Sequence, residues 1–330
     1  MERDVTANQT TKAALSFVLV IAALATLPAR TQAQTGYPDR TIKIVVPAPP
    51  GANLDTIPRI IADKLATRWG HPVIIEHRPG AAQNLGAEAV ARSEPDGHTL
   101  LATPQGPLVI SQHFFAKLGF DPAAFVPVSV IASQPLVLVA HPKFRAANLT
   151  ELVTSAKGSK ISFASAGIGS SPHLTGEMLK LAAKIDFVHV PYKGLAPAMT
   201  DLLGGHVDMM FDNLTNALPQ IRDGKVKALA VASETRIPEL PDVPAIAELF
   251  PGFYSTSWFA IVAPPKTPPD IAARLSQAIA ATLKLPDVIE RYRALASTPV
   301  GSSPAETAEF LKKESERWRQ VIAAAGIKPE

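Results

Sequence analysis

Two short stretches gather the residue types that hold a small anion without a cation. The first is Val46-Pro47-Ala48-Pro49-Pro50-Gly51-Ala52-Asn53-Leu54-Asp55, which leads from a β-branched run into a helical pattern. Its prolines stiffen the chain, Gly51 and Ala52 let a ligand approach the backbone, and Asn53 or Asp55 suits a helix cap. Free N–H groups at a helix start attract an anion. No Lys or Arg stands between Val46 and Ile57, so a carboxylate here would meet neutral donors and the helix dipole. An ordinary tight turn with a capping Asp would be spelled the same way.

The second stretch is Ser165-Ala166-Gly167-Ile168-Gly169-Ser170-Ser171-Pro172-His173. A strand pattern precedes it, and a Ser N-cap with Pro at the first helical position, here Ser171 and Pro172, opens a helix. Gly167-x-Gly169 is not a dinucleotide fingerprint, because Pro172 stands where the third glycine belongs. What remains is a Ser- and Gly-rich helix start suited to a carboxylate. Two further strand ends carry polar groups, His189-Val190-Pro191-Tyr192-Lys193-Gly194 and Met209-Met210-Phe211-Asp212-Asn213. Tyr192 either lines a cleft or packs. Asp212 either orients ligand donors or caps the next helix.

Ligands of open α/β sheets sit beyond the carboxyl ends of strands, so these loops face one another only if the elements around them form two such sheets. The pattern supplies them. Ile42–Val46, Val73–Glu76 and Thr99–Ala102 read as buried strands, with Ile57, Ile60, Ile61, Leu65 and Trp69 at helical spacing between the first two. The rhythm returns at Ile161–Ala164, Phe187–Val190, Val207–Phe211 and Lys227–Ala232. Alternation of this kind predicts parallel sheets covered by helices. The apolar runs Leu136–Ala140 and Trp258–Ala263, each followed by proline, read as two crossings between lobes. One lobe then holds residues 36–135 plus 260–330, and the other 136–259. A final helix from about Pro304 to Ala325 packs back on the first.

The remaining composition narrows the function. Arg3 and Lys12, an apolar stretch from Ala13 to Leu27 and the small-residue site Thr31-Gln32-Ala33 have the layout of a signal peptide over residues 1–33. The absence of cysteine rules out disulfides, a thiolate nucleophile and a Cys-based metal site. A net charge of +3, with no basic run and few aromatics, argues against nucleic acid as a partner. There is no Gly-x-Ser-x-Gly elbow, Walker loop or His-Glu-x-x-His. The eight histidines are scattered, and His173 at a helix start suits a hydrogen-bonding role better than metal ligation. No enzyme, cofactor or metal is expected.

With these residues in view, the chain resembles the Bug family, the extracytoplasmic receptors of tripartite tricarboxylate transporters. The phrases that carry the resemblance run in order from Tyr37-Pro38-Asp39-Arg40 through Glu76-His77-Arg78-Pro79-Gly80 and Pro95-Asp96-Gly97-His98-Thr99 to Pro241-Asp242-Val243-Pro244 and Ser257-Trp258-Phe259, with the loops above between them. The resemblance implies a type II, Venus-flytrap periplasmic binding protein: two α/β lobes, a central cleft and two interlobe crossings. It implies a periplasmic monomer that captures a small carboxylate and delivers it to membrane transporter subunits. The alternatives are a ligand sensor for a signalling partner and an exported enzyme acting on small acids. By position, Gly51, Ala52, Asn53 and Asp55 would form the first-lobe contact, and Ser165, Gly169, Ser170 and His173 the second, with Tyr192 and Asp212 nearby. Gln105 joins them, in the loop Thr103-Pro104-Gln105-Gly106-Pro107, where the family often has small polar residues and an Asn. Two other departures stand out. The usual aromatic before Pro-Pro-Gly-Gly is Ala48, which predicts a wider pocket floor and a ligand larger than a plain dicarboxylate. The usual Gly-Ala-Gly-Gly-Asn is Gly80-Ala81-Ala82-Gln83-Asn84.

Overall fold

The structure is a computed structural model that describes residues 36–50, 53–156 and 160–327. The expected signal peptide, and Gly51 and Ala52 of the first loop, lie outside the described residues.

The first β-branched run forms β1 (Ile42–Val46), which pairs in parallel with β2 (Val73–His77) on one side and β3 (Thr99–Pro104) on the other. Helix α1 (Asn53–Trp69) links β1 to β2 and turns Ile57, Ile60, Ile61 and Leu65 to the sheet, each no more than 1% exposed. It stops at Gly70, whose φ of 70° a glycine adopts freely. Helix α2 (Asn84–Ala91) links β2 to β3. After β3 the chain makes a π-turn (Gly106–Ile110) and one turn of helix, α3 (Ser111–Phe114).

A 15-residue strand, β4 (Val126–Ala140), follows. Beyond it come α4 (Leu149–Ala156), β5 (Ser162–Ser165), α5 (Ser171–Ala183), β6 (Val188–Pro191), α6 (Leu195–Leu203), β7 (Met209–Asn213), α7 (Leu214–Arg222) and β8 (Lys227–Val231). The chain returns through α8 (Ile246–Leu249) and β9 (Thr256–Ala263), and ends in α9 (Pro269–Leu283), α10 (Pro286–Ala294), the short β10 (Thr298–Pro299) and α11 (Pro304–Ala324).

The strand order is β2-β1-β3-β9-β4-β7-β5-β6, with β8 and β10 also on β4. Strand β4 changes partners partway along. Val126 to Pro135 pair antiparallel with Ala263 to Thr256 of β9, whereas Leu136 to Ala140 pair with Asn213 to Met209 of β7 and with β8. The change falls at Pro135, which has no N–H to continue a ladder. Two half-sheets result, each with parallel strands, β2-β1-β3 and β6-β5-β7, flanked by antiparallel returns.

Buried Gln134 sits at this junction. Its Nε2 donates to Ser297 Oγ at 2.6 Å, Thr215 Oγ1 at 3.2 Å and the Leu295 carbonyl at 3.3 Å, so it joins α7 to the segment before β10. The last helix closes the first half-sheet. Trp318, Val321 and Ile322 of α11 pack with Val45, Leu101, Trp258 and Val262, and Leu174 of α5 enters the same core. Within it, Glu314 accepts from Trp258 Nε1 at 2.9 Å and from Arg317 Nη2 at 2.8 Å, while the Arg317 guanidinium lies 4.4 Å over the Trp318 ring.

Removing that carboxylate strands a buried indole N–H and a largely enclosed guanidinium. Glu314→Ala should therefore cost about 2–4 kcal/mol in urea unfolding, and Glu314→Gln, which keeps an acceptor, should recover most of the loss.

Candidate functional site

A cleft of about 560 Å³ opens between the loop ends of the two half-sheets. The first half-sheet contributes Ala48 and Leu54 around the first loop, Ala82 and Gln83 before α2, and Pro104, Gly106, Ile110, Ser111, Phe114 and Phe115 beyond β3. Ser257 and Phe259 come from β9. The second half-sheet contributes Ala166 to Pro172 except Gly167, then Gly194, Leu195, Asn213 and Asn216. Among the described residues, none that lines the cleft carries a charge.

The second loop is built to hold a helix N-terminus open toward this space. Ser170 caps α5: its Oγ accepts from the His173 N–H at 3.4 Å and donates to the Gly167 carbonyl at 2.6 Å. Pro172 follows in the first turn, where its missing N–H leaves nothing unsatisfied. Gly167 and Gly169 have φ of 123° and 75°, a turn that side chains resist. A Cβ on Gly169 would make ordinary contact, at 3.5 Å, with the Phe114 ring of the opposite wall.

Of the residues expected to touch ligand, Gly169 and Ser170 line the cleft. Asn53 starts α1, directly before Leu54, which lines the cleft. Asp55, Gln105, Ser165, His173, Tyr192 and Asp212 are not part of the cleft lining. Asp55 is buried and accepts from Arg59 Nη2 at 2.7 Å and from His77 Nε2 at 3.0 Å. Gln105 is buried and donates from Nε2 to Ser171 Oγ, so one half-sheet hydrogen-bonds the helix start of the other. Tyr192 donates its hydroxyl to Asp201 at 2.6 Å, and that bond raises its pKa to about 12.

Ser165 and His173 form one buried network under the second loop. Ser165 Oγ lies 2.7 Å from His189 Nε2 and accepts from the Gly167 N–H at 3.1 Å. His189 stacks on His173 with ring centres 4.0 Å apart, and His173 Nδ1 accepts from the Gly169 N–H at 3.1 Å. Burial, with Lys180 nearby, lowers the His189 pKa to about 4. Burial, with His189 and Lys180, lowers that of His173 to about 3. Both rings are neutral at ordinary pH, and their role is to fix the loop's backbone.

Asp212 plays a similar part on the far side. It is fully buried, and its Oδ1 accepts from the Asn213 N–H at 2.7 Å and from Asn216 Nδ2 at 3.3 Å. Both asparagines line the cleft, so the carboxyl orients them from behind. Its Oδ2 has no hydrogen-bond partner among the described residues, and burial pushes the pKa up to about 7 despite the two hydrogen bonds.

Sequence reasoning missed the apolar wall of Ile110, Phe114, Phe115 and Ile168, which nothing distinguishes from core in a linear reading. Asn213 and Asn216 had a signal, because an Asn follows Asp212 directly and another stands one helical turn on. Ala48 does line the cleft, at 8% exposure. Among the described residues, no group of three or more His, Cys, Asp or Glu could hold a metal ion, and no helix is long and apolar enough to cross a membrane.

Fold and site together define a two-lobed α/β protein of the periplasmic solute-binding type. The family model described as the tripartite tricarboxylate transporter family receptor, TctC, matches residues 57–327. The chain belongs to that family and is of the Bug type. It is 36% identical to BugT of Bordetella pertussis (strain Tohama I) over 319 residues, 95% of this chain and 98% of BugT. The solved structure of the periplasmic binding protein BugD is similar, with a TM-score of 0.77 and 34% identity over 89% of this chain and 100% of that one. An R. palustris protein solved with adipate has a TM-score of 0.81 and 32% identity over 89% of this chain and 100% of that one.

The Asp212 carboxyl leaves a signature in stability. Folded, it keeps its proton up to about pH 7, whereas the unfolded group gives it up near its ordinary value of 3.8. Folding therefore takes up a proton between those values, and this group's contribution to stability falls as pH rises through that window. Asp212→Asn keeps both hydrogen bonds without the ionisation. It should gain on the wild type by up to roughly 1.4 kcal/mol per pH unit between about pH 4 and 7, then level off. Urea unfolding of both proteins at several pH values measures the difference.

Proposed function

We propose that this chain is a periplasmic receptor that closes around a small carboxylate and delivers it to a tripartite tricarboxylate-type membrane transporter. The observation that carries the reading is the uncharged cleft into which the capped N-terminus of α5 opens. Such a helix start favours an anion through its N–H groups and dipole. The surrounding Ser171 hydroxyl and the amides of Asn213 and Asn216 add neutral donors. The similar R. palustris protein was solved with adipate, which supports a carboxylate here.

In this reading the lobes are residues 36–135 plus 260–330 and residues 136–259. They close about β4 and β9, and Gly51, Ala52 and Asn53 complete the first-lobe contact. Ligand favours closure only as far as it binds the closed form better than the open one. Residues 1–33 direct export and are removed. A role without catalysis fits the buried Ser165–His189 pair, since Ser165 is fully enclosed and lies outside the cleft lining.

Thermal melting of the refolded mature protein against di- and tricarboxylates, aromatic acids, acidic amino acids, amides and sugars tests the proposal. An acid present at ~100 times its dissociation constant adds about 2.7 kcal/mol, a shift of several degrees in a chain of this size. Ser170→Trp should keep the fold by circular dichroism and lose that shift. A response to neutral compounds alone would overturn the carboxylate reading.

A further inference from the structure

Three consecutive residues at the cleft's edge hold a backbone conformation that side chains avoid. Ala81, Ala82 and Gln83 have φ of 47°, 49° and 76°. In this region Cβ crowds the following carbonyl, whereas glycine enters freely. Strain kept at a ligand cleft points to a use for the side chain. Ala82 and Gln83 both line the cleft.

Gln83 is half-buried, and its amide reaches across the wall until Oε1 stands 3.4 Å from where a Cβ on Gly106 would be. The Gln83 side chain makes no hydrogen bond to any described residue, and it shares the cleft lining with the apolar Leu54, Ala82, Ile110, Phe114 and Phe115. A partly desolvated amide without a partner is unfavourable until something meets it.

The cleft is therefore asymmetric. Its second wall has the α5 N-terminus, Ser170, Ser171, Asn213 and Asn216. Among the described residues its first wall is mainly hydrocarbon and aromatic, with Ser257, with Gln83 as a polar side chain that hydrogen-bonds no described residue, and with Ser111 already donating its hydroxyl to Asn84 Oδ1 at 2.9 Å. A carboxylate buried against the hydrocarbon and aromatic part of the first wall would lose its water with no cation opposite. A hydroxyl, carbonyl or amide there would find a matching partner, since a glutamine amide both donates and accepts.

We propose that Gln83 selects the ligand: its amide meets an uncharged hydrogen-bonding group, so the protein prefers a monocarboxylate with an apolar body and a neutral polar end over a dicarboxylate of the same length. This rests on the carboxylate-receptor reading and sharpens it.

Adipate, its monoamide adipamate, and hexanoate form a matched series of one length, and calorimetric titration at pH 7.5 of wild type and Gln83→Gly tests the selection. Wild type should bind adipamate about tenfold more tightly than adipate, and Gln83→Gly should reduce that ratio several-fold. Hexanoate, which has no end group, should bind both proteins alike. The variant should melt no lower than wild type, because glycine relieves the left-handed strain. Equal affinities for adipate and adipamate, or a ratio indifferent to the substitution, would overturn the role of Gln83 and leave the receptor standing. Failure of all three acids to bind wild type, alongside no response to any acid in the melting panel, would overturn both readings.

Discussion

The architecture depends on one strand that belongs to two sheets. Strand β4 pairs with β9 up to Pro135 and with β7 and β8 from Leu136 onward, so each half-sheet is built on an end of the same chain segment. The strand holds the halves in register but cannot by itself fix the angle between them. Side chains at the junction do more. Gln134 ties α7 to the residues before β10, and Gln105 reaches from the first half-sheet to Ser171 at the start of α5. Because the loops that line the cleft leave the ends of strands rooted in opposite halves, anything that moves the halves reshapes the cleft. The cleft's shape and the junction's hydrogen bonds are thus one mechanical problem.

The site is electrostatically active without formal charge. Buried His173 and His189 are held neutral by desolvation, and Asp212 keeps its proton to about pH 7 for the same reason. Each acts on a neighbour that does line the cleft: His173 on the Gly169 N–H, Asp212 on Asn213 and Asn216. Such an arrangement presents fixed dipoles and avoids the large desolvation of a cation facing the ligand. It places discrimination in shape and in a few oriented neutral groups.

Much of this fold was legible in the chain. Strands β1, β5, β7 and β8 announce themselves as short β-branched or apolar runs, and α1 by its spacing of isoleucines. The first two-thirds of β4 did not, because Pro127, Ser129, Gln134 and Pro135 break any alternation, and only the run from Leu136 reads as strand. The site was half legible for a related reason. Polar letters at strand ends drew attention to Asp55, Ser165, His173 and Asp212, yet a polar side chain there is often consumed by the backbone around it. The cleft surface is instead shaped by Phe114, Phe115 and Ile168, whose letters look like core. Gln83 was visible only as a departure from glycine, and the meaning of that departure lies in a backbone angle that no spacing encodes.

The position of β9 has a consequence for the order in which the molecule assembles. It lies between β3 and β4, yet it is made more than a hundred residues after either. Strands β5, β6 and β7 pair among themselves, and β7 and β8 pair with β4, which is already made when they emerge. The earlier half-sheet must instead wait with a gap the width of one strand, and two unpaired edges, until residues 256–263 arrive. Pairings so distant along the chain are slow to form, and exposed edges invite the wrong partner in the meantime. A chain cut short before Thr256 would carry its later half complete and its earlier half permanently open.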